Sequence, residues 1–454
     1  MRIRVVGGGL AGSEAALTAA RLGCQVDLYE MRTVVDGKPR LTPAHQTTEF
    51  GELVCSNSLK SESPHTAPWL LKQEIRHGGS ALLRIADETA VPAGHALAVD
   101  RAEFSRRISE AIAAEPAIRV IREEVSCLDD PLHQDQKGGK HCTIVATGPL
   151  TSDALAKEIE RRTGSGHLAF YDSISPIVDA DSIDMGRVYF AARWDKGTPD
   201  YINCPMDRAE YDRFYEALVA AEPAEEREWE RLEYFEGCLP IEVLARRGRD
   251  TLRFGPMKPV GLRDPRTGKI PWAVVQLRKE NLRADSYNLV GFQNHLKFGD
   301  QARVLRLIPG LDNARFLRYG QIHRNTYICA PLLLDECLRL KQWPELMFAG
   351  QICGVEGYTE SIATGMLAGI YAAALAQGHD PDPVPRASAL GSLIHYITHG
   401  DGKNFQPANI TFDLLDPLDA DTRRKIRVKG ERHRLQCERA LAAFDAWLAA
   451  TTCL

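Results

Sequence analysis

The sequence predicts an α/β protein in which a doubly wound nucleotide-binding domain is interrupted by a smaller inserted α+β domain. Three observations carry this reading. A glycine-rich turn joins a strand to a helix at the start of the chain, strand–helix alternation returns near Leu346, and the stretch between reads as short strands separated by turn signals. The expected limits are 1–185 with 320–454 for the discontinuous nucleotide-binding domain and 186–319 for the insertion. A chain of 454 residues is too long for one ordinary core, so two domains are the default.

Arg2–Val6 reads as a short apolar strand, and the helix after it offers Ala15, Ala16, Ala19 and Ala20 as a packing face. Gly23 ends that helix, and Val26–Glu30 forms the next strand. Between strand and helix, Gly7-Gly8-Gly9-Leu10-Ala11-Gly12 satisfies G-x-G-x-x-G. Gly7 permits the tight turn, Gly9 lets the backbone approach a pyrophosphate, and Gly12 allows close helix–strand packing. The helix N-terminus presents free N–H groups and the positive end of its dipole to that phosphate charge. Glu30, at the end of the second strand, is placed to accept hydrogen bonds from ribose hydroxyls, with Arg32 beside it. A lone glycine motif is weak evidence; strand, helix, Gly23 and a terminal acid together are specific.

Residues 36–66 are dense in Pro, Thr, Ser and Asn without being low-complexity, which predicts an ordered functional loop. A strand over His141–Ala146, a charged helix over Arg208–Glu233, a turn at Arg266-Thr-Gly-Lys and a strand over Trp272–Leu277 follow. Leu346–Gly350 reads as a strand feeding a helix at 361–377, and the chain after Pro381–Pro385 is helical and basic. Ser361–His379 is the longest uncharged run, but its Ser, Thr, Gln, Gly and Ala content predicts a buried helix and no membrane span. The chain opens directly on a strand, so no secretory signal is expected and the localisation is cytoplasmic. Eleven cysteines then read as reduced thiols, and with no CxxC or zinc-spaced Cys/His cluster noted, no structural metal is expected. A net charge of −5 leaves a nucleic-acid partner open, since a local basic face suffices.

Ile144-Val-Ala-Thr-Gly-Pro149 resembles the second strand motif of the glutathione-reductase-like flavoproteins, and Phe348-Ala-Gly-Gln-Ile-Cys-Gly-Val-Glu-Gly-Tyr358 resembles their late, flavin-proximal motif. The resemblance implies a Rossmann FAD-binding domain, with Gly7, Gly8, Gly9, Leu10, Ala11, Gly12, Glu30, Arg32, Ala146, Thr147, Gly148, Gly350, Gln351, Gly357 and Tyr358 at the cofactor. No second G-x-G-x-x-G occurs, so a reductant reaches the flavin from an open face.

Thr42-Pro-Ala-His-Gln-Thr-Thr-Glu-Phe-Gly-Glu-Leu-Val-Cys-Ser-Asn-Ser-Leu-Lys60 is more specific. Together with Phe235-Glu-Gly-Cys-Leu-Pro-Ile-Glu242, Gly255-Pro-Met-Lys-Pro-Val-Gly261, His395-Tyr-Ile-Thr-His399 and Phe405-Gln-Pro-Ala-Asn409, it resembles the folate- and FAD-dependent tRNA (uracil-5-)-methyltransferases over almost the whole chain. That family implies methylation of the T-loop uridine of tRNA, with methylenetetrahydrofolate as carbon donor and NAD(P)H as reductant. It implies binding of the tRNA T-arm and of folate and nicotinamide small molecules, and no obligatory protein partner. Uracil C5 becomes nucleophilic only after something adds to C6, and a thiolate both adds and leaves. Cys55 and Cys238 occupy the family's two cysteine motifs; Cys238 is favoured as nucleophile and Cys55 for proton transfer, with the opposite assignment open. Without the family, each is an ordinary free cysteine packed as a small hydrophobe. The other cysteines are assigned to structure, Cys353 included.

His295 and Asn57 are the folate candidates; the plain alternatives are a structural histidine and an asparagine that orients the Cys55 loop. Arg423-Arg-Lys-Ile-Arg-Val-Lys-Gly-Glu-Arg-His-Arg434 holds seven Lys or Arg in twelve residues. Arg423, Arg424, Lys425 and Arg427 there, and Arg246, Arg247 and Arg249 near Cys238, are candidates for RNA phosphates, against the reading of a solvated helix face. Two rivals remain: a larger wobble-uridine-modifying flavoprotein, which carries a C-terminal extension where this chain stops at Leu454, and an FAD-dependent small-molecule oxidoreductase. A flavin-binding RNA-interaction protein without catalysis would lack the two cysteines.

Overall fold

The computed structural model describes residues 2–42, 44–128, 142–164, 166, 168–173, 175–223, 239–320 and 322–451. One six-stranded sheet runs in the order Arg339–Leu340, Trp343–Phe348, Cys142–Val145, Arg2–Val6, Gln25–Tyr29, Ile118–Ile121. Its pairings are parallel except at the Arg339–Leu340 edge. Val6 lies opposite both Tyr29 and Val145, and Val145 opposite Phe348. The strands therefore end level with one another, and the segments that follow each of them open onto a common edge.

Helix Leu10–Arg21 packs against helix Tyr358–Ala376 on one face of this sheet. Small residues set the crossing: a Cβ on Gly365 would lie 2.3 Å from the Ala11 carbonyl oxygen, and one on Gly369 would lie 2.8 Å from that of Ala15. The uncharged run read at 361–377 is this buried helix. Among the described residues, no helix is long and apolar enough to cross a membrane.

A second six-stranded sheet is antiparallel throughout, in the order Tyr189–Ala191, Tyr201–Met206, Ala273–Lys279, Ser286–Leu289, Ile177–Asp179, Phe316–Arg318. It has its own hydrophobic core, drawn from residues between Val178 and Ala314 and including Tyr211, Phe214, Phe292 and Leu311. The sheet begins at Ile177, ahead of residue 186, because Ile177–Asp179 pairs with both Ser286–Leu289 and Phe316–Arg318. A two-stranded antiparallel ribbon, Leu168–Ser173 with Ile322–Tyr327, leads into and out of it. The charged helix expected over Arg208–Glu233 starts on a capping box at Asp207 and Glu210 and ends at Val219; residues 224–238 lie outside the described residues. The C-terminal part forms helices Ala389–His399, Ala420–Lys425 and Lys429–Thr451.

Candidate active site

The carboxyl edge of the parallel sheet is a cleft, where open α/β sheets bind their ligands. It is lined by Val6–Ala11, Tyr29–Arg32, Ala146–Ser152, Gly350, Gln351, Tyr358 and Ser361, with Thr42, His45, Glu52 and Val54 from the following loop. Gly7 has φ +107°, and a Cβ there would lie 2.5 Å from the Ala146 carbonyl oxygen. A Cβ on Gly12 would come within 1.8 Å of the Gly7 carbonyl oxygen, so only glycine lets the helix sit this close to the turn. Gly9, by contrast, faces open space for 4 Å. Gly9 is also the helix N-cap and offers no side chain, which leaves the first-turn amides to a ligand. The cradle fits a dinucleotide pyrophosphate.

Glu30 is buried and ties the turn to the second strand. It accepts hydrogen bonds from the Gly8 amide at 2.9 Å, the Arg32 amide at 2.8 Å and the Arg32 guanidinium at 3.0 and 3.1 Å. Burial opposes its charge, yet the Arg32 guanidinium and these donors hold its carboxyl below the usual carboxylate range. Arg32, itself buried, also reaches Glu52 at 3.3 Å and the Thr47 carbonyl at 3.3 Å, so it couples the cleft to the loop that follows.

That loop is the one carrying Cys55. Its start is pinned to the glycine turn by the Gly51 amide, which donates to the Gly8 carbonyl at 3.0 Å. Its far end hangs on Tyr358, the first residue of the helix behind the cleft: the amides of Cys55 and Ser56 donate to the phenol oxygen at 2.8 and 3.1 Å. Burial, and then the neighbouring Cys55 thiol, push the Tyr358 phenol well above its ordinary range despite Arg101, so it is protonated at neutral pH. Arg101 donates to the Leu53 carbonyl and grips Glu280 of the antiparallel sheet at 2.9 and 3.3 Å. Burial pulls the Arg101 guanidinium down, but Glu280 and then Tyr358 outweigh it and the net direction is up. Arg318, whose guanidinium donates to the Ala44 carbonyl at 3.0 Å, is pulled down first by burial and then by Arg101. Cys55 is half-buried and interacts electrostatically with both cations.

Other described thiols contrast with it. Cys142, Cys337, Cys353 and Cys437 are buried, and burial pushes each up to about 12. Cys353 sits in the flavin-like motif but only caps its own turn, its thiol donating to the Gly350 carbonyl at 3.0 Å. Cys127 is exposed.

Asn57 is completely buried. Its amide donates to the carbonyls of Val99 at 2.9 Å and Lys279 at 2.8 Å, and accepts from Arg278 at 3.0 Å and Asn288 at 3.3 Å. With its hydrogen-bonding capacity spent on the protein, Asn57 orients the loop and is not available to a folate ring. His295 is buried; its amide donates to Glu242 at 2.7 Å, and it does not line the cleft. Cys238 lies outside the described residues, which resume at Leu239 and helix Ile241–Arg246. Gly357 does not line the cleft either: at φ +120° it caps the helix that begins at Tyr358, where Lys60 and Glu360 pair at 2.8 Å.

The basic candidates differ in exposure and in how tightly they are paired. Arg246, Arg247, Arg423, Arg424, Lys425 and Arg427 are exposed. Arg249 is spent on Asp212 at 2.8 Å and Glu216 at 3.4 Å and lies over the Tyr215 ring. At the far end of the C-terminal tract, Arg434 is paired with Glu431 and Glu438.

The lining residues Ser361, Thr42, His45 and Glu52, and the Tyr358 tether, were not read from sequence. Thr42, His45 and Glu52 lie in the loop singled out as functional, which was the available signal.

Comparison with known proteins places this architecture. Residues 2–380 match the family described as glucose inhibited division protein A. A methylenetetrahydrofolate–tRNA-(uracil-5-)-methyltransferase TrmFO of Koribacter versatilis is 65% identical over 99% of this chain and 98% of its own length. A protein of the same name from Solibacter usitatus is 59% identical over 98% of both chains, and one from Bacillus cereus is 51% identical over 98% of both. Among solved structures, GidA of Aquifex aeolicus superposes with a TM-score of 0.68 at 18% identity, covering 100% of this chain and 74% of that one; this likeness shows the fold. By its match to the family and its identity to these relatives along nearly their whole length, the chain belongs to the glucose inhibited division protein A family and, within it, to the TrmFO methylenetetrahydrofolate–tRNA-(uracil-5-)-methyltransferases.

Proposed function

We propose that the protein methylates C5 of the T-loop uridine of tRNA, taking the carbon from methylenetetrahydrofolate, with FAD in the cleft and NAD(P)H as reductant. The observation that carries this is the joining of two features: the Cys55 loop is hung by hydrogen bonds from Tyr358, and Tyr358 lines the dinucleotide cleft. A thiol is thereby held at the cofactor's edge. The relatives' names supply the substrate and the carbon donor.

Gly7–Ala11, Glu30 and Arg32 would hold the adenine-side half of FAD, with Gly12 letting the helix pack against the turn, and Ala146–Gly148, Gly350, Gln351 and Tyr358 the remainder. The flavin would supply the hydride that completes the methyl group. Residues of the chain do the rest. One thiolate adds to uracil C6, which makes C5 nucleophilic; C5 attacks the methylene carbon of the folate. The second thiolate removes the C5 proton as the methylene carbon–nitrogen bond breaks and tetrahydrofolate departs, and the first thiolate is expelled from C6 once hydride has been added to the methylene carbon. Arg101 and Arg318 stabilise negative charge at Cys55, the setting in which a thiol is reactive. Cys55 is assigned to proton transfer and Cys238 to the addition at C6. The exposed cations at 423–427 and Arg246 and Arg247 would take the phosphates of the T-arm. The wobble-uridine and small-molecule oxidoreductase readings are set aside in favour of the activity that relatives 51–65% identical over 98–99% of this chain carry in their names.

The test is transfer of labelled carbon from methylenetetrahydrofolate to purified tRNA. Wild-type protein should label the T-arm, and Cys55→Ala and Cys238→Ala should not, with flavin retained in both. With 5-fluorouridine in the T-arm, which blocks proton removal, Cys55→Ala should still trap RNA covalently and Cys238→Ala should not. The reverse trapping pattern exchanges the two roles. Robust labelling by both variants would sink the two-thiol mechanism.

A further inference from the structure

The motif His395-Tyr-Ile-Thr-His399 has no part in the cleft described above. Its two histidines are one turn apart on helix Ala389–His399, with rings stacked at 4.4 Å and 16°. Glu336 approaches both: its Oε1 lies 3.9 Å from His395 Nδ1 and 3.8 Å from His399 Nε2. These separations exceed hydrogen-bonding range, so the carboxylate and the imidazole nitrogens converge without bonding to one another. All three ligand atoms lie within 4.8 Å of each other.

Two further features prepare the group. The Thr398 hydroxyl donates to the Ile394 carbonyl at 2.8 Å, and its oxygen lies 3.0 Å from His399 Nδ1. Its one proton being used, the hydroxyl must accept from Nδ1–H. That fixes the tautomer and leaves a lone pair on Nε2, the nitrogen turned toward Glu336, as metal-ligating histidines are usually held. The turn carrying Glu336 is also fixed, since Asp335 accepts the amides of Cys337 at 3.0 Å and Arg339 at 2.9 Å.

We propose that Glu336, His395 and His399 form a binding site for a divalent transition-metal ion of the zinc class, clamping helix Ala389–His399 to the turn before strand Arg339–Leu340. Two imidazoles and one carboxylate suit zinc and its neighbours and are a poor set for magnesium or calcium, which take oxygen ligands. Zinc bonds of about 2.0–2.2 Å need the three atoms to draw in from their present separations, which half-exposed side chains on a surface can do by small rotations. About half of each side chain is exposed, 48% for Glu336, 44% for His395 and 49% for His399. Solvent therefore reaches the metal, and the remaining coordination positions belong to water or to an exogenous anion.

The test uses the full-length protein, stripped with a chelator and titrated with zinc by calorimetry, with magnesium in parallel. One zinc per chain is expected, with a raised unfolding temperature, and no response to magnesium. His395→Ala and His399→Ala should each abolish that binding, and Glu336→Gln should weaken it. Thr398→Val, which touches no metal, should lower affinity by about tenfold by releasing the His399 tautomer. Circular dichroism of the metal-free variants checks that they fold. Cys127→Ser should bind zinc like the wild type, which separates this site from the exposed thiol. Equal zinc binding by wild type and a His395→Ala/His399→Ala double variant, or none by wild type, would overturn the proposal.

Discussion

The dinucleotide cleft and the Cys55 loop touch each other, yet they are built in opposite ways. The cleft is made from short segments that each follow a strand of one parallel sheet, and its shape comes from backbone conformation at Gly7, Gly9 and Gly12. The loop at 44–57 has almost no regular structure. It is held by groups from elsewhere in the chain: Tyr358 on its amides, Arg101 between Leu53 and Glu280, and the Lys279 carbonyl and Asn288 side chain on Asn57. The difference teaches that the cofactor and the thiol are positioned by separable sets of interactions. A substitution can remove one and leave the other.

Gly12→Leu should break the cleft itself and has the largest expected effect. Its Cβ would overlap the Gly7 carbonyl, forcing the helix off the sheet, and the purified protein should lose its yellow flavin colour. Full flavin content in this variant would refute the cofactor placement.

Arg101→Gln should break the loop and spare the cleft. It leaves Glu280 buried without its cationic partner, a loss of about 3–5 kcal/mol for pairs of this kind. Denaturant unfolding should show the lost stability and methylation should fall, while flavin content at low temperature stays near that of wild type. Flavin loss matching the loss of methylation would show that the two regions are one unit.

Tyr358→Phe is the sharper probe, since it deletes a single oxygen. Two amides lose their acceptor, at a cost of about 1–3 kcal/mol, and the Cys55 loop loosens. The rate of methyl transfer should drop about tenfold or more on that cost, with the flavin still bound. An unchanged rate would mean that Cys55 is positioned by something other than this tether.

Charge reversal at Arg423, Arg424 and Arg427 should touch neither region. It should flatten the salt dependence of tRNA binding by roughly one unit of slope per lost phosphate contact, leaving reduction of the flavin by a nicotinamide unaltered. The same change at Arg434, already neutralised by Glu431 and Glu438, should have less effect.

The loop's composition marked it as functional, but Tyr358 lies 303 residues beyond Cys55, and no local pattern announces that the two will meet. Asn57 was legible only as a choice between ring contact and loop support, and its burial among Val99, Lys279, Arg278 and Asn288 decides for support. The expectation of no structural metal rested on cysteine and zinc-type spacings; His395 and His399, four residues apart, fall on one helix face. The third member, Glu336, sits on a separate turn and is brought there by folding alone.

Sequence alone determined the phosphate cradle, because G-x-G-x-x-G acts through backbone angles and missing Cβ atoms, which are properties of the residues themselves. It also determined the family, because the motifs around Cys55 and Cys238 are long. Only the tertiary structure decided which exposed cations are locked in close ion pairs and that Cys55 is set among guanidinium groups. Charge and burial depend on what the fold packs against each side chain: Arg249 and Arg427 look alike in the chain, but only Arg249 is held between Asp212 and Glu216.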